Sequence, residues 1–380
     1  MRRRDFLIGA GAAGSGALAG CYGLAAPAPV AQESPTAQSS PIQTEASPTV
    51  AGRELPIPES ALVRATSRDG IAAVTEPAFD TDWSALDDVA PLRAEDTVIG
   101  VERNGMARAY PLRVLAWHEV INENFGGPLL VTFCPLCGSS LVAERRIDGQ
   151  ATVFGVSGLL LDSNLVLYDR LTESLWSQIA AIAIRGPKTG TRLTLIPSQF
   201  TTWKTWEDEH PDTEVLLPPP ASVTVGNVAD GNYDIVPYGA YQGRFASETG
   251  DIDGPERAAE PVVLGVVNGD TARAYPLETV REAGVVNDSV GDLPVVVAVA
   301  PDGVTMVSYV RRIEGETVVF ERASDTHLQA AGSRWALTSG RAVDGPFEGT
   351  TLQPAAARPP MLQSSWRDFH PKTDIYVASD

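Results

Sequence analysis

From Thr97 onward the chain is written in short apolar runs separated by turn residues. Val98–Val101 and Ala107–Tyr110 flank Asn104-Gly105, a dipeptide that closes tight hairpins. The period then changes: from Leu112 to about Asn122, Val114, Trp117 and Ile121 fall on one face of a helix. Leu129–Phe133 is an unbroken apolar run, the pattern of a buried strand. Leu141–Arg146 and Gln150–Gly155 flank Asp148-Gly149 as a second hairpin, and Leu165–Tyr168 and Leu175–Gln178 read as further strands. Ser198 is placed to cap a helix running to Glu209, which His210-Pro211 ends.

The pattern then recurs. Ala107-Arg-Ala-Tyr-Pro-Leu112 returns identically as Ala272-Arg-Ala-Tyr-Pro-Leu277, and Arg145-Arg-Ile-Asp-Gly149 returns as Arg311-Arg-Ile-Glu-Gly315. Trp176 answers to Trp335, Trp206 to Trp366, and His210-Pro211 to His370-Pro371. These matches predict two tandem copies of one unit, over residues 57–220 and 221–380. The expected fold class is α+β and strand-rich, each copy a mostly antiparallel β-sheet or barrel with one or two helices.

Upstream the pattern differs. Arg2-Arg3-Arg4-Asp5-Phe6-Leu7 has the twin-arginine form, and the Gly- and Ala-rich stretch after it is too short for a spanning helix. It ends Leu18-Ala19-Gly20-Cys21, which resembles a lipobox, so residues 1–21 are expected to be a signal whose Cys21 carries lipid. Residues 22–56 are mostly Ala, Pro, Ser, Thr and Gln, too poor in large apolar side chains to repay ordering, and are expected to form a disordered tether. The expected location is the outer face of the cytoplasmic membrane, with contact to the membrane through the lipid alone. The formal charge of −19 argues against nucleic acid as a partner.

The repeat serves as an internal control: features in both copies belong to the fold, and polar features in one copy are candidates for chemistry. Cys134-Pro-Leu-Cys137-Gly138 aligns with Ala300-Pro-Asp-Gly303-Val304, and His118 with Ala283. One imidazole and two thiols are therefore present together or absent together. His118 borders the apolar face of its helix, so a helix folded back on the strand entering Cys134 is expected to bring the three together. Two chemistries fit. His118, Cys134 and Cys137 with an open fourth position suit one copper or zinc ion, for metal handling or catalysis, with Glu119 or Asp169 as base or supporting partner. Alternatively the Cys-x-x-Cys pair exchanges dithiol for disulfide, its attacking thiol activated by the histidine. A structural disulfide and a non-enzymatic module binding a solute or surface partner are the plainer readings. The segment from Gly155 to Arg170 has no counterpart of equal length, and its Ser157, Asn164, Tyr168, Asp169 and Arg170 are expected to wall the site.

At these residues the chain resembles an uncharacterised family, domain of unknown function 3179. The resemblance is carried by Trp117-His118-Glu119, Thr132-Phe-Cys134-Pro-Leu-Cys137-Gly138, Gly155-Val-Ser157-Gly158-Leu-Leu, Ser163-Asn164, Tyr168-Asp169-Arg170, Ser174-Leu-Trp176-Ser-Gln178 and Thr201-Thr-Trp203. It implies that these residues form one set and names no reaction. The chain departs from the family pattern at Leu161-Asp162, where Tyr-Asn is common, which implies a different ligand contact there.

Overall fold

The Asn104-Gly105 turn closes the hairpin that seeds the first sheet. In the computed structural model, which describes residues 49–229, 231–236 and 260–378, Thr97–Arg103 and Met106–Pro111 pair from Val98↔Pro111 to Arg103↔Met106. Gln199–Thr202 adds antiparallel on one side, and Glu214–Leu216 adds parallel on the other. Five further small sheets complete a six-bladed propeller arrangement. The second blade is built on Val120–Asn124, Pro128–Cys134 and Ser139–Glu144. The third is built on Phe154–Leu161, Asn164–Asp169, Leu175–Ser177 and Ile182–Arg185. Val262–Asn268 with Thr271–Pro276, Val285–Val290 with its two partners, and Glu321–Arg322 with its two partners make the other three.

The expectation of a strand-rich, mainly antiparallel fold therefore holds, while the sheets stand as separate blades and not as a barrel. Side chains from both halves close the same cores: Val98 and Trp206 cluster with Leu264 and Val297, and Val120 and Cys134 cluster with Val263 and Trp366. The halves carry corresponding hairpins, Val98↔Pro111 onward and Val263↔Pro276 onward. In each, a tryptophan lies where a glycine leaves room. A Cβ on Gly100 would come within 2.3 Å of the Trp206 ring, and one on Gly265 within 2.1 Å of Trp366. His210 and His370 pack their rings on these tryptophans, with centroids 4.0 and 3.9 Å apart.

Four short α-helices occur among the described residues: α1 (Leu112–His118), α2 (Trp203–Glu209), α3 (Leu277–Ala283) and α4 (Gln363–Phe369). Two differ from the sequence expectation. α1 stops at His118 because Glu119 turns left-handed, at φ +56°, and the next residues join the second blade. α2 is capped by Thr202, whose hydroxyl accepts from Thr205 N at 3.3 Å, because Gln199–Thr202 is a strand of the first blade and Ser198 lies before it.

The expected boundaries also move. Val223–Thr224 pairs with Val74–Glu76 of the second blade, and Tyr233 is buried in a core that both halves share, so residues just beyond 220 still pair with first-half strands. At the other end, Thr49–Val50 pairs with Arg53–Glu54, and Val50 and Ile57 are buried with Leu161 and Ile182. Residues 49–56, placed at the end of the expected tether, thus pair and pack with the fold. The signal segment, Cys21 and the tether before residue 49 lie outside the described residues. No described helix is long and apolar enough to cross a membrane.

Candidate functional site

α1 hands over to the second blade within one residue, and this junction decides where two predicted site residues go. His118 is the last helical residue and is buried. Its Nδ1 lies 2.7 Å from Ala72 O and its Nε2 lies 2.7 Å from the Tyr233 hydroxyl, with the two rings stacked at 26°. Burial holds the imidazole below its ordinary pKa, against the pull of the Ala72 carbonyl. Both ring nitrogens are thus committed to oxygen partners, and neither is offered to a thiol. The expected His118–Cys134–Cys137 centre does not assemble, and no group of three or more His, Cys, Asp or Glu placed to hold a metal ion occurs among the described residues. The physical reason is the direction in which α1 ends: its last side chain turns toward the 231–236 segment, and the next residue turns toward the thiols.

That residue is Glu119. It is 8% exposed. Its backbone oxygen accepts from Phe133 N at 3.0 Å, directly before Cys134. Burial and then the Cys137 sulfur push its carboxyl up to about 8.

The thiols sit at either end of the turn that joins Pro128–Cys134 to Ser139–Glu144, where Cys134 pairs with Ser139. Gly138 takes φ +58°, the conformation that a side chain disfavours, and so lets the turn close. Both cysteines are free and buried, at 1% and 0% exposure. Cys137 Sγ lies 3.0 Å from Ser139 Oγ and receives the Asn164 amide at 3.4 Å. Burial raises the Cys137 thiol, but hydrogen bonds from Cys134, Ser139 and Asn164 outweigh it and bring the group to about 7. Cys134 moves the other way: burial, and its role as donor to Cys137, hold it well above the ordinary thiol range. Hydrogen bonds thus favour the thiolate on Cys137, while burial disfavours it on Cys134.

A polar network fixes this division. Gln178, 0% exposed, accepts at Oε1 from Ser139 Oγ at 2.7 Å and from Asn164 Nδ2 at 2.9 Å. Its amide nitrogen donates to Thr132 Oγ1 and Ser139 O, both at 3.2 Å. Asn164 Oδ1 accepts from Ile179 N at 3.1 Å, which sets the amide with its NH₂ toward the sulfur. Ser139 has one hydroxyl proton. It points to Gln178 while Cys137 is a thiol and is available to the sulfur when Cys137 is a thiolate.

The remaining predicted residues part company. Asn164 meets the thiols. Ser157 donates to Val166 O at 2.5 Å, inside the third blade. Tyr168 donates to Asp69 at 2.8 Å. Asp169 is buried and accepts from Trp176 Nε1 at 2.9 Å and Thr172 Oγ1 at 2.7 Å, which makes it the organiser of a turn. Arg170 is exposed. The unusual Asp162 pairs with Arg53, with Oδ1 at 3.0 Å. Ser139 and Gln178 were not singled out, although the Ser174-Leu-Trp176-Ser-Gln178 motif contained the glutamine. The signal that could have found it is an amide inside an otherwise apolar strand region, which requires partners when buried.

A separate cleft of about 200 Å³ lies between the halves, lined by Glu102, Gln199, Trp206, His210, Tyr309 and Arg358 among others. Gln199 Nε2 donates to Thr338 O at 2.7 Å. Neither thiol lines this cleft.

No curated protein and no solved structure matches the chain. One family model does match, over residues 68–373, which takes in both halves and every residue of the thiol site. The chain accordingly belongs to the family described as protein of unknown function (DUF3179).

Proposed function

We propose that the first half houses a redox-active dithiol that cycles between Cys134/Cys137 thiols and their disulfide outside the cytoplasm. The observation that carries this reading is geometric: two free, buried thiols stand at the ends of one four-residue turn, and the sulfur of Cys137 is met by the Ser139 hydroxyl and the Asn164 amide, which lower its pKa. A thiol near pKa 7 combines a useful thiolate fraction with retained nucleophilicity, and its protonated partner can resolve the intermediate. The complete burial of both sulfurs favours a small disulfide as oxidant over a folded protein. The Cys137 thiolate attacks one sulfur of that disulfide and expels one thiolate. The Cys134 thiol then loses its proton and attacks Cys137 Sγ, which breaks the mixed bond and releases the second thiol. Two electrons leave the protein, and the oxidant becomes two thiols.

The twin-arginine pattern and the Leu18-Ala19-Gly20-Cys21 sequence support export and lipid anchoring, which would put this pair where disulfides persist. The repeated sequence motifs support descent of the two halves from one duplicated unit, with the thiols kept in the first.

Titration against a glutathione redox buffer tests the reading. The full-length protein is expected to gain and lose two thiols reversibly, and Cys134→Ser is expected to abolish the transition. A pair that never oxidises, or one copper or zinc ion per chain retained through both cysteines in elemental analysis, would overturn it.

A further inference from the structure

α1 and α3 each end with one residue at positive φ before the next strand. In the second half that residue is Gly284, at φ +74°, the type a helix end ordinarily uses there. In the first half it is Glu119, at φ +56°, where a side chain makes positive φ unfavourable. The carboxyl is also buried, yet it makes no hydrogen bond or ion pair with the described residues. A buried acid without a cation is costly in its charged form. So this position carries two costs, one conformational and one electrostatic, and a structural role would call for neither.

The ionisable groups near it are the thiols. Cys137 is the ionisable neighbour of Glu119, and Glu119 and Cys137 are those of Cys134. The backbone keeps them near one another: Glu119 O accepts from Phe133 N at 3.0 Å, so the main chain of Glu119 lies beside the strand residue that precedes Cys134. The second half has Gly284, Ala300 and Gly303 at the three positions, so the acid and the thiols are kept together and lost together.

We propose that Glu119 is the proton acceptor of the dithiol: as Cys134 attacks the sulfur on Cys137, its proton passes to the Glu119 carboxylate, directly or across one water, and returns on reduction. This rests on the redox reading above. The carboxyl is held at about 8 by burial and then by Cys137, so the carboxylate fraction, and with it the resolving step, rises as pH approaches and passes 8. A positioned base of this kind contributes roughly a hundredfold or more to a proton-coupled step.

Stopped-flow oxidation of the reduced full-length protein by a small aromatic disulfide, from pH 6 to 9, is the test. The wild type is expected to close its disulfide faster with rising pH, with a midpoint near 8. Glu119→Gln is expected to lose that rise and to close at least tenfold more slowly at pH 8. Glu119→Gly restores the residue of the second half, so it is expected to melt at or above the wild-type temperature while showing the same kinetic loss. Variants that keep the wild-type rate and pH profile overturn the assignment to Glu119 and leave the redox reading standing. A wild type that forms no reversible disulfide overturns both.

Discussion

The turns at residues 134–138 and 300–304 align in sequence and each join two antiparallel strands, and the difference between them separates scaffold from chemistry. Each spans four residues between a paired edge, Cys134 with Ser139 in one and Ala300 with Thr305 in the other. In the second half the turn is locked by Asp302. Its carboxylate accepts from the backbone N–H groups of Val304 and Thr305, both at 2.9 Å, and from the hydroxyls of Thr205, at 2.9 Å, and Thr305. In the first half the same place carries Leu136, and the polar bonds have moved to the sulfur of Cys137. The left-handed residue shifts as well: Gly138 in the first turn, Gly303 in the second. One turn spends its hydrogen bonds on holding two blades together, the other on setting the acidity of a thiol.

Substitutions can break this contrast, and their sizes should differ. Asp302→Ala removes an acceptor for several buried donors at once, so it is expected to cost about 3 kcal/mol in urea unfolding. Its mirror, Leu136→Ala, leaves no polar group unpaired and should cost clearly less. An equal loss from both would mean that the first turn is held as rigidly as the second. Next in size is transplanting the thiols. Gly303→Cys places a side chain at φ +73° and is expected to cost about 1–2 kcal/mol. Combined with Ala300→Cys it should yield thiols with ordinary acidity, since Asn164 and Gln178 have no counterparts there; ultraviolet thiolate absorbance against pH reads the result. The smallest expected effect is the most local. Asn164→Ala removes one N–H donor from Cys137 Sγ and should raise its pKa from about 7 by roughly one unit. An unmoved titration would show that Ser139 and Cys134 alone set the value.

The histidine at the end of α1 and the glutamate after it teach a related lesson through pH. Burial lowers His118, so the unfolded chain binds its proton first, and stability is lost as pH falls through about 6.5, the ordinary histidine value. Burial raises Glu119 to about 8, so the folded chain binds its proton more tightly, and stability is lost as pH rises from the ordinary carboxylate range toward 8. Two neighbours in sequence thus tilt stability in opposite directions because their side chains leave the backbone on different sides of one junction.

Much of the site could be read in the order of residues. The hairpin turns, the buried run into Cys134 and the recurrence of Ala-Arg-Ala-Tyr-Pro-Leu all follow from local preferences, which act over a few residues and so leave their mark in the sequence. The absence of both cysteines from the matching stretch of the second half marked the thiols as a candidate site with no help from geometry. The identity of their partners could not be read this way. His118 was the obvious third member by chemistry, yet its ring is claimed by Tyr233, 115 residues downstream, and by Ala72, 46 residues upstream. Gln178, 39 residues beyond Ser139, holds the thiol network instead. The sequence by itself determined the strands, the turns and which half carries sulfur, because these depend on neighbours along the chain. Only the tertiary structure decided which polar groups face the sulfur, because a buried donor or acceptor takes whichever partner the packed blades bring within about 3 Å.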